Sequence, residues 1–419
     1  MWPMHDEVIA HIAANWPACA RHHVNDDGMK IGLPCPYLTQ STARHFQCMY
    51  YWDTYFANLG LLLLGGDMAA MARNHVDNLC SLVTEFGHVP NSALRTQTSF
   101  GHSQPPYLSM MTADVYGYFN DRQWLAERYC DLLTEYAFWI GERSTHTGLQ
   151  RYYAGEDDET TAGYIDYLNR NRGFSFAIDD PQERWKTGRH FLAEAESGWD
   201  FNPRFANRCA DFVPVDLNCN LYRYEINFAK FGEIIGRNDS QQWRDKAEQR
   251  RELIDRYLWH ADAGLYLDYD YVNEQPSPVA SLATFQPLYA GCASKQQARA
   301  VVRNLGRFEY KWGVVPCVKG ERIHTYQWDY PNAWAPLQYL VAQGLLNEGY
   351  AGDALRICRA YCDLVERNFA VTGQLWEKYN AVDGTLRVGD EHPYFMPTML
   401  GWSAGVYVWA GEIFKQESE

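Results

Sequence analysis

Apolar residues recur three and four positions apart along most of this chain, the spacing of a helix with one buried face. "MAAMARNHVDNLCSLVTEFG" shows the pattern and stops at Gly87. So do "DRQWLAERYCDLLTEYAFWIGER", "LYRYEINFAKFGEIIGR", "SQQWRDKAEQRRELIDRYLW", "KQQARAVVRNLGRF", "NAWAPLQYLVAQGLLNEG", "YAGDALRICRAYCDLVERNF" and "TMLGWSAGVYVWAGEIFKQ". Weaker candidates near residues 4–15, 49–64, 104–118 and 278–290 bring the expectation to about twelve helices. Alternating strands are few, and "GLYLDYDYV" at 264–272 is the clearest.

The helices come in pairs, one aromatic-rich and apolar, the next more charged. Residues 218–236 then 239–258, and 332–345 then 347–368, are examples. Such alternation predicts concentric layers, with inner helices buried all round and outer helices wetted on one face. The expected fold is all-α, a toroid of six helical hairpins in a single domain over residues 1–419. A two-layer helical solenoid is the alternative, but no repeat of 34 to 45 residues is visible. The longest poorly periodic stretch, 143–198, reads as a long ordered loop region near the active site, because loops of that length in compact proteins are usually functional.

Composition narrows the function. The net charge is −15, which disfavours nucleic acid and anionic membranes as partners. The 15 Trp, 29 Tyr and 19 Phe suit either a large core or a carbohydrate site, where flat rings stack on sugar faces. The 11 cysteines form no CxxC pair, and Cys358 and Cys362, four apart, lack companion ligands. Neither a metal set nor a cofactor motif is expected. The N-terminal residues carry no basic segment followed by an apolar run, so the cytoplasm is the default location. "LGLLLLGG" is too short to span a bilayer. Oligomeric state is not legible.

Four polar-aromatic clusters precede inner-helix candidates: "YYWDTYF", "GHVPNS" with "FGHSQPP", "ESGWDFNPRF" and "QWDYPNAWAP", where Pro331 looks like a helix start. In a toroid these junctions would share one rim. Two more carboxylates, Glu377 in "LWEKYN" and Glu391 in "GDEHPYF", lie near the C-terminus. Asp200, between Trp199 and Phe201, is the most telling. A carboxylate among aromatics is costly unless paired, and burial raises its pKa as a catalytic acid requires. Its plain readings are a helix cap or a partner of Arg204.

These motifs resemble the trehalases of glycoside hydrolase family 37. "QWDYPNAWAP" matches that family's second signature at every constrained position, and "GWSAGV" is similar to its closing GWTNGV. "SGWDF" followed by "VPVDLN" is similar to the general-acid segment, and "EKY" to the general-base segment. The similarity runs from about residue 46 to 408. It implies an (α/α)6 barrel and inverting hydrolysis of α,α-trehalose, with Asp200 as acid and Glu377 as base. Glu391 is the rival base, placed by the resemblance as a sugar or water contact. Inverting hydrolases hold their two carboxyls roughly 6.5–9.5 Å apart to admit a water.

The resemblance also implies sugar contacts from Phe46, Trp52, Asp53, Asn91, Ser103 and Gln104, and a cavity lined by Gly198, Trp199, Gln327, Trp328, Asp329, Trp334 and Trp402. A core aromatic cluster is the plain reading of the tryptophans. The departures concern the substrate clamp. Where the family has PGGRFxExYxWDxY this chain has "TARHFQCMYYWDTY", so His45 replaces an arginine and Cys48 a glutamate. His102 replaces a second arginine, and the family's RPES is absent, with "DDPQERW" in that region. Arg44, Arg170, Arg172 or Arg204 would have to compensate. "ESGWDFNPR" is also similar to the family 63 hydrolases, which include glucosidases and hydrolases of glucosylglycerate and mannosylglycerate. The expected activity is hydrolysis of an α-linked disaccharide, trehalose first, with another α-glycoside as the alternative. An inactive sugar-binding protein is the reading from another class, and a toroidal scaffold for a protein partner is a third.

Overall fold

The computed structural model describes residues 4–42, 46–95, 101–321, 326–388 and 396–416. Among them lie fourteen α-helices. They are α1 (His5–Cys19), α2 (Tyr51–Leu64), α3 (Gly66–Phe86), α4 (Leu108–Phe119), α5 (Arg122–Ile140), α6 (Asp158–Asn171), α7 (Pro181–Glu196), α8 (Val215–Ile235), α9 (Ser240–Tyr257), α10 (Gln286–Ala290), α11 (Lys295–Arg303), α12 (Ala335–Asn347), α13 (Ala351–Thr372) and α14 (Trp402–Gln416). Six of them, α2, α4, α8, α10, α12 and α14, each pack on the next, and α14 closes on α2. The fold is an (α/α)6 barrel.

The ring follows from the sequence. An inner helix meets two neighbours, an outer helix and the barrel axis, so it must be apolar nearly all round. Accordingly α2 is buried from Tyr51 to Leu61, with Leu59 alone partly exposed. An outer helix meets the barrel on one side only. α9 buries Trp243, Ala247, Arg250 and Ile254, a single stripe, and wets the rest. The ring closes where α2 and α14 touch backbone to backbone. A Cβ on Gly60 would lie 2.9 Å from the Gly405 Cα, and one on Gly405 would lie 2.0 Å from the Phe56 carbonyl oxygen. Only glycine fits either position.

Residues 143–198 correct the expectation of a long loop. Two helices, α6 and α7, form a hairpin inserted between barrel helices α5 and α8. Asp157 caps α6 by accepting from the Thr160 N–H, and Asp180 caps α7 by accepting from the Glu183 N–H, with Pro181 in its first turn. The hairpin has its own small core of Ile165, Leu168 and Phe191, shared with Phe201. So little buried apolar surface leaves a faint periodicity, which is why the pattern alone missed it. Pro331 also differs from expectation. Asn332–Trp334 is a short strand, and α12 starts at Ala335. That strand pairs antiparallel with Lys378–Asn380, Trp334 opposite Lys378, which brings the Glu377 segment beside the "QWDYPNAW" segment.

Candidate active site

One rim of the barrel holds a cavity of about 570 Å³. Three carboxylates line it: Asp53 from the first turn of α2, Asp200 from the turn after α7, and Glu377 from the residue before its strand. Trp52, Trp328, Trp334 and Trp402 supply the aromatic wall. Trp328 and Trp334 stack with ring centres 3.8 Å apart, and Trp199 stacks behind Trp328 at 5.6 Å. Large rings locked by one another form a stiff wall, the pre-organisation a small-molecule site needs.

The turn carrying Asp200 has a specific local cause. Gly198 adopts φ +70°, and a Cβ there would lie 2.7 Å from the Trp52 ring. Any other residue would be strained twice over, in its backbone and against Trp52. Asn202 then ties the turn to α7. Its backbone N–H and side-chain amide both donate to Glu194 Oε1, at 2.7 and 2.8 Å. Phe201 sits at φ +59°, its ring in the hairpin core and its carbonyl accepting from the Trp328 N–H at 3.1 Å. Asp200 is thus held between barrel and hairpin.

The electrostatics separate the carboxylates. Enclosure by protein pushes Asp200 up to about 6, against the pull of the Arg172 and His102 charges. Burial, with Glu377 and Asp200 nearby, pushes Asp53 up to about 8, while a hydrogen bond from Gln104 opposes the rise. Asp53 Oδ2 is buried and has no hydrogen-bond partner in the protein, so it is open to a ligand donor. Glu377 is 3% exposed, and its neighbour Lys378 is 1% exposed, its Nζ 4.0 Å from Glu377 Oε2 and 4.8 Å from the Trp334 ring centre. Such burial excludes an ordinary surface charge pair at Glu377.

Phe46, Asn91, Gln104, Gly198 and Gln327, also singled out in the sequence, line the same cavity. Gln104 also accepts from the Trp52 N–H at 3.1 Å, which fixes the start of α2. Four expected residues do not line it. His102 pairs with Glu156 at 2.6 Å. Ser103 donates to the Val89 carbonyl at 2.6 Å, Trp199 lies behind Trp328, and Asp329 accepts from the Tyr330 N–H at 2.7 Å. His45 and Glu391, with Arg44, lie outside the described residues.

Of the candidate compensating arginines, Arg172 lines the cavity. It donates to Gln327 at 2.6 Å and lies over the Phe201 ring at 4.4 Å. Arg204 is buried and spent on Asp216 and Asp268, at 2.6 and 2.9 Å, so it is not the partner of Asp200. Arg170 bonds back to the Asp166 carbonyl on the exposed face of α6. Sequence reasoning missed Tyr167 and Asn171, which line the cavity one turn apart at the end of α6. The caps at Asp157 and Asp180 were the signal that could have found the hairpin.

Comparison with known proteins agrees with this geometry. The Trehalase family model matches residues 12–413. A protein from Xanthomonas campestris pv. campestris (strain B100), named "Periplasmic trehalase", is 32% identical over 94% of this chain and 71% of its own length. One of the same name from Pseudomonas aeruginosa is 32% identical over 96% of this chain and 75% of its own. Among solved structures, neutral trehalase Nth1 from Saccharomyces cerevisiae superposes with a TM-score of 0.77 at 26% identity, over 90% of this chain and 73% of that one. A GH63 mannosylglycerate hydrolase from Thermus thermophilus shares the fold, with a TM-score of 0.65 at 17% identity over 97% of this chain and 99% of that one. The cytoplasmic expectation is corrected by these relatives, since both bacterial proteins are named as periplasmic. On the family match and the relatives' identity, the chain belongs to the trehalase family and is a glycosidase.

Proposed function

We propose that the chain hydrolyses α,α-trehalose with inversion, Asp200 acting as general acid and Glu377 as general base. The observation that carries this reading is that both carboxyls line one tryptophan-walled cavity, with Asp200 raised to about 6 by its enclosure. A protonated Asp200 donates to the glycosidic oxygen as the bond to the anomeric carbon breaks. Glu377 takes a proton from the water that attacks that carbon on the opposite face. Asp53, through its unpartnered Oδ2, and Gln104 hold hydroxyls of the sugar being cleaved. Arg172, Asn171 and Tyr167 form the wall for the leaving glucose.

A second reading rests on Arg172. A guanidinium in the cavity wall also suits an aglycone bearing a carboxylate, such as glycerate, held by a bidentate contact. Kinetics on trehalose, other α-glucosides, glucosylglycerate and mannosylglycerate test both, with products followed by NMR. Trehalose hydrolysis with no gain on the glycerates is the expected result, and inertness toward trehalose overturns it. At the onset of turnover the glycone appears as the β-anomer while the leaving glucose keeps its α configuration. Release of α-glucose alone would contradict inversion.

A further inference from the structure

A second cavity, of about 500 Å³, lies on the far side of the hairpin core from the tryptophan wall, between α7, the turn after Asp200 and the loop around residue 272. His190, on α7, lines it and is 4% exposed, and neither ring nitrogen has a hydrogen-bond partner. Asp211 Oδ2 is 3.9 Å from Nε2, beyond hydrogen-bond reach. A buried imidazole with a donor and an acceptor both unmet is costly unless something fills the cavity. Burial also lowers His190 to about 4, so the ring is neutral at ordinary pH and offers one donor and one acceptor.

The remaining walls indicate what would fill it. Two consecutive non-glycine residues, Ala206 and Asn207, line the cavity at φ +49° and +60°. Left-handed backbone at such residues is uncommon and gathers at binding sites. Phe176 and Phe191 give an aromatic wall, while Asn207, Asn273 and Thr187 give neutral donors and acceptors. Charge is balanced, Lys186 and Arg208 against Glu183 and Asp211, and Arg208 is already paired with Asp211 and Asp270. That balance does not favour an anion. Rings beside neutral groups that both donate and accept match a neutral polyhydroxylated molecule.

We infer that this cavity is a second, non-catalytic saccharide site, in which His190 and Asn207 hydrogen-bond the hydroxyls of a neutral sugar lying against Phe176 and Phe191. A chain of ring contacts links the site to the catalytic cavity. Phe191 and Phe176 are 5.5 Å apart, Phe191 and Phe201 are 6.2 Å apart, and Phe201 follows Asp200 and carries Arg172 on its ring. The proposal takes its ligand class from the reading of the chain as a glycosidase and from the pocket's own chemistry.

The test is the stoichiometry and position of D-glucose on the intact wild-type protein, by calorimetry and by a crystal structure of the glucose complex. One glucose against His190 is expected as a second site, beyond the barrel mouth, which has places for both the cleaved and the leaving glucose. Thr187→Trp fills the pocket from a partly exposed position, and His190→Phe removes its polar centre. Each should retain the barrel glucose and lose the second. Glucose confined to the barrel, whatever its number, overturns the inference, as does inorganic phosphate displacing glucose from His190. Trehalose hydrolysis by the same preparation separates the two proposals. An active enzyme binding glucose only in the barrel fails here alone, whereas a protein binding glucose at His190 and cleaving nothing fails on its catalytic reading alone.

Discussion

The barrel ring and the inserted hairpin meet at Asp200, and they are built in opposite ways. The ring is a closed circuit of helices buried nearly all round, sealed by backbone contact at Gly60 and Gly405. The hairpin is unequal: the end of α7 is buried against the barrel, with Ala193 in the barrel core and Glu196 paired with Arg143 at 2.8 Å, whereas α6 rests on a handful of apolar side chains. The ring carries Asp53 in α2 and, at its rim, Glu377 with its tryptophan wall; the hairpin carries Tyr167, Asn171 and Arg172. A stiff frame therefore holds Asp53 and Glu377, the turn at the joint holds Asp200, and the lightly attached α6 forms the facing wall. Specificity can change on that wall without disturbing the frame, which suits a chain that lacks the usual arginines of its family.

The largest effects should come from the carboxyls themselves. Asp200→Asn and Glu377→Gln should each lower kcat by about 10²-fold or more, the scale of general acid or base catalysis. Affinity for an unreactive substrate analogue should persist in both. An active Glu377→Gln enzyme would move the base assignment elsewhere on the rim.

Gly198→Ala tests the joint between the two regions. It forces a left-handed alanine, at about 1–2 kcal/mol, and drives a Cβ to within 2.7 Å of the Trp52 ring. We expect kcat to fall about tenfold, with a lowered Tm, because Asp200 and Trp52 shift together. Unchanged turnover would show that the turn does not set the position of the acid.

Arg172→Met probes the hairpin's share of the site. Loss of a charged hydrogen bond to substrate, about 1.5 kcal/mol, should lower kcat/KM about tenfold. It should also move the pH profile. Asp200 must be protonated to act, so kcat/KM falls as pH rises through its pKa of about 6. Arg172 pulls that pKa down, so its removal should shift the alkaline limb to higher pH. A limb that stays in place would detach Arg172 from Asp200.

How far the sequence revealed each region follows from the same contrast. Inner helices such as α2 are apolar on every side and outer ones such as α9 carry one stripe, so the layering is written in the periodicity. Asp200 among aromatics, with Gly198 two residues before, was legible because burial and backbone geometry act locally. The hairpin was not, because Ile165, Leu168, Phe191 and Phe201 come from three separate segments and α6 buries only Thr161, Ile165 and Leu168. Arg172 and Arg204 looked equivalent as candidates. What separates them is Asp216 and Asp268, 12 and 64 residues from Arg204, which no local pattern could reveal. His102 is a similar case, since its partner Glu156 is 54 residues away.

The smallest effect on turnover, and the sharpest on the comparison, should come from Leu168→Ala. Leu168 is fully buried in the hairpin core, not in the barrel core. Truncating a buried leucine costs about 2–5 kcal/mol. In a cooperative single unit that cost would appear in the global unfolding transition. In a sub-domain that opens by itself it appears only in the local opening equilibrium. Helix α6 meets the second expectation, with its own cap at Asp157 and only the hairpin core beneath it, whereas the end of α7 is tied to the barrel by Glu196 and Arg143. Amide exchange over residues 158–171 should therefore quicken by about thirtyfold or more, the equivalent of about 2 kcal/mol, while α2 and α14 stay protected and Tm hardly moves. The rate at saturating substrate should stay near wild type, because the ligand closes the wall again. A large drop in Tm, or faster exchange spread into α2 and α14, would mean that ring and hairpin fold as one unit and that the specificity wall is no freer than the frame.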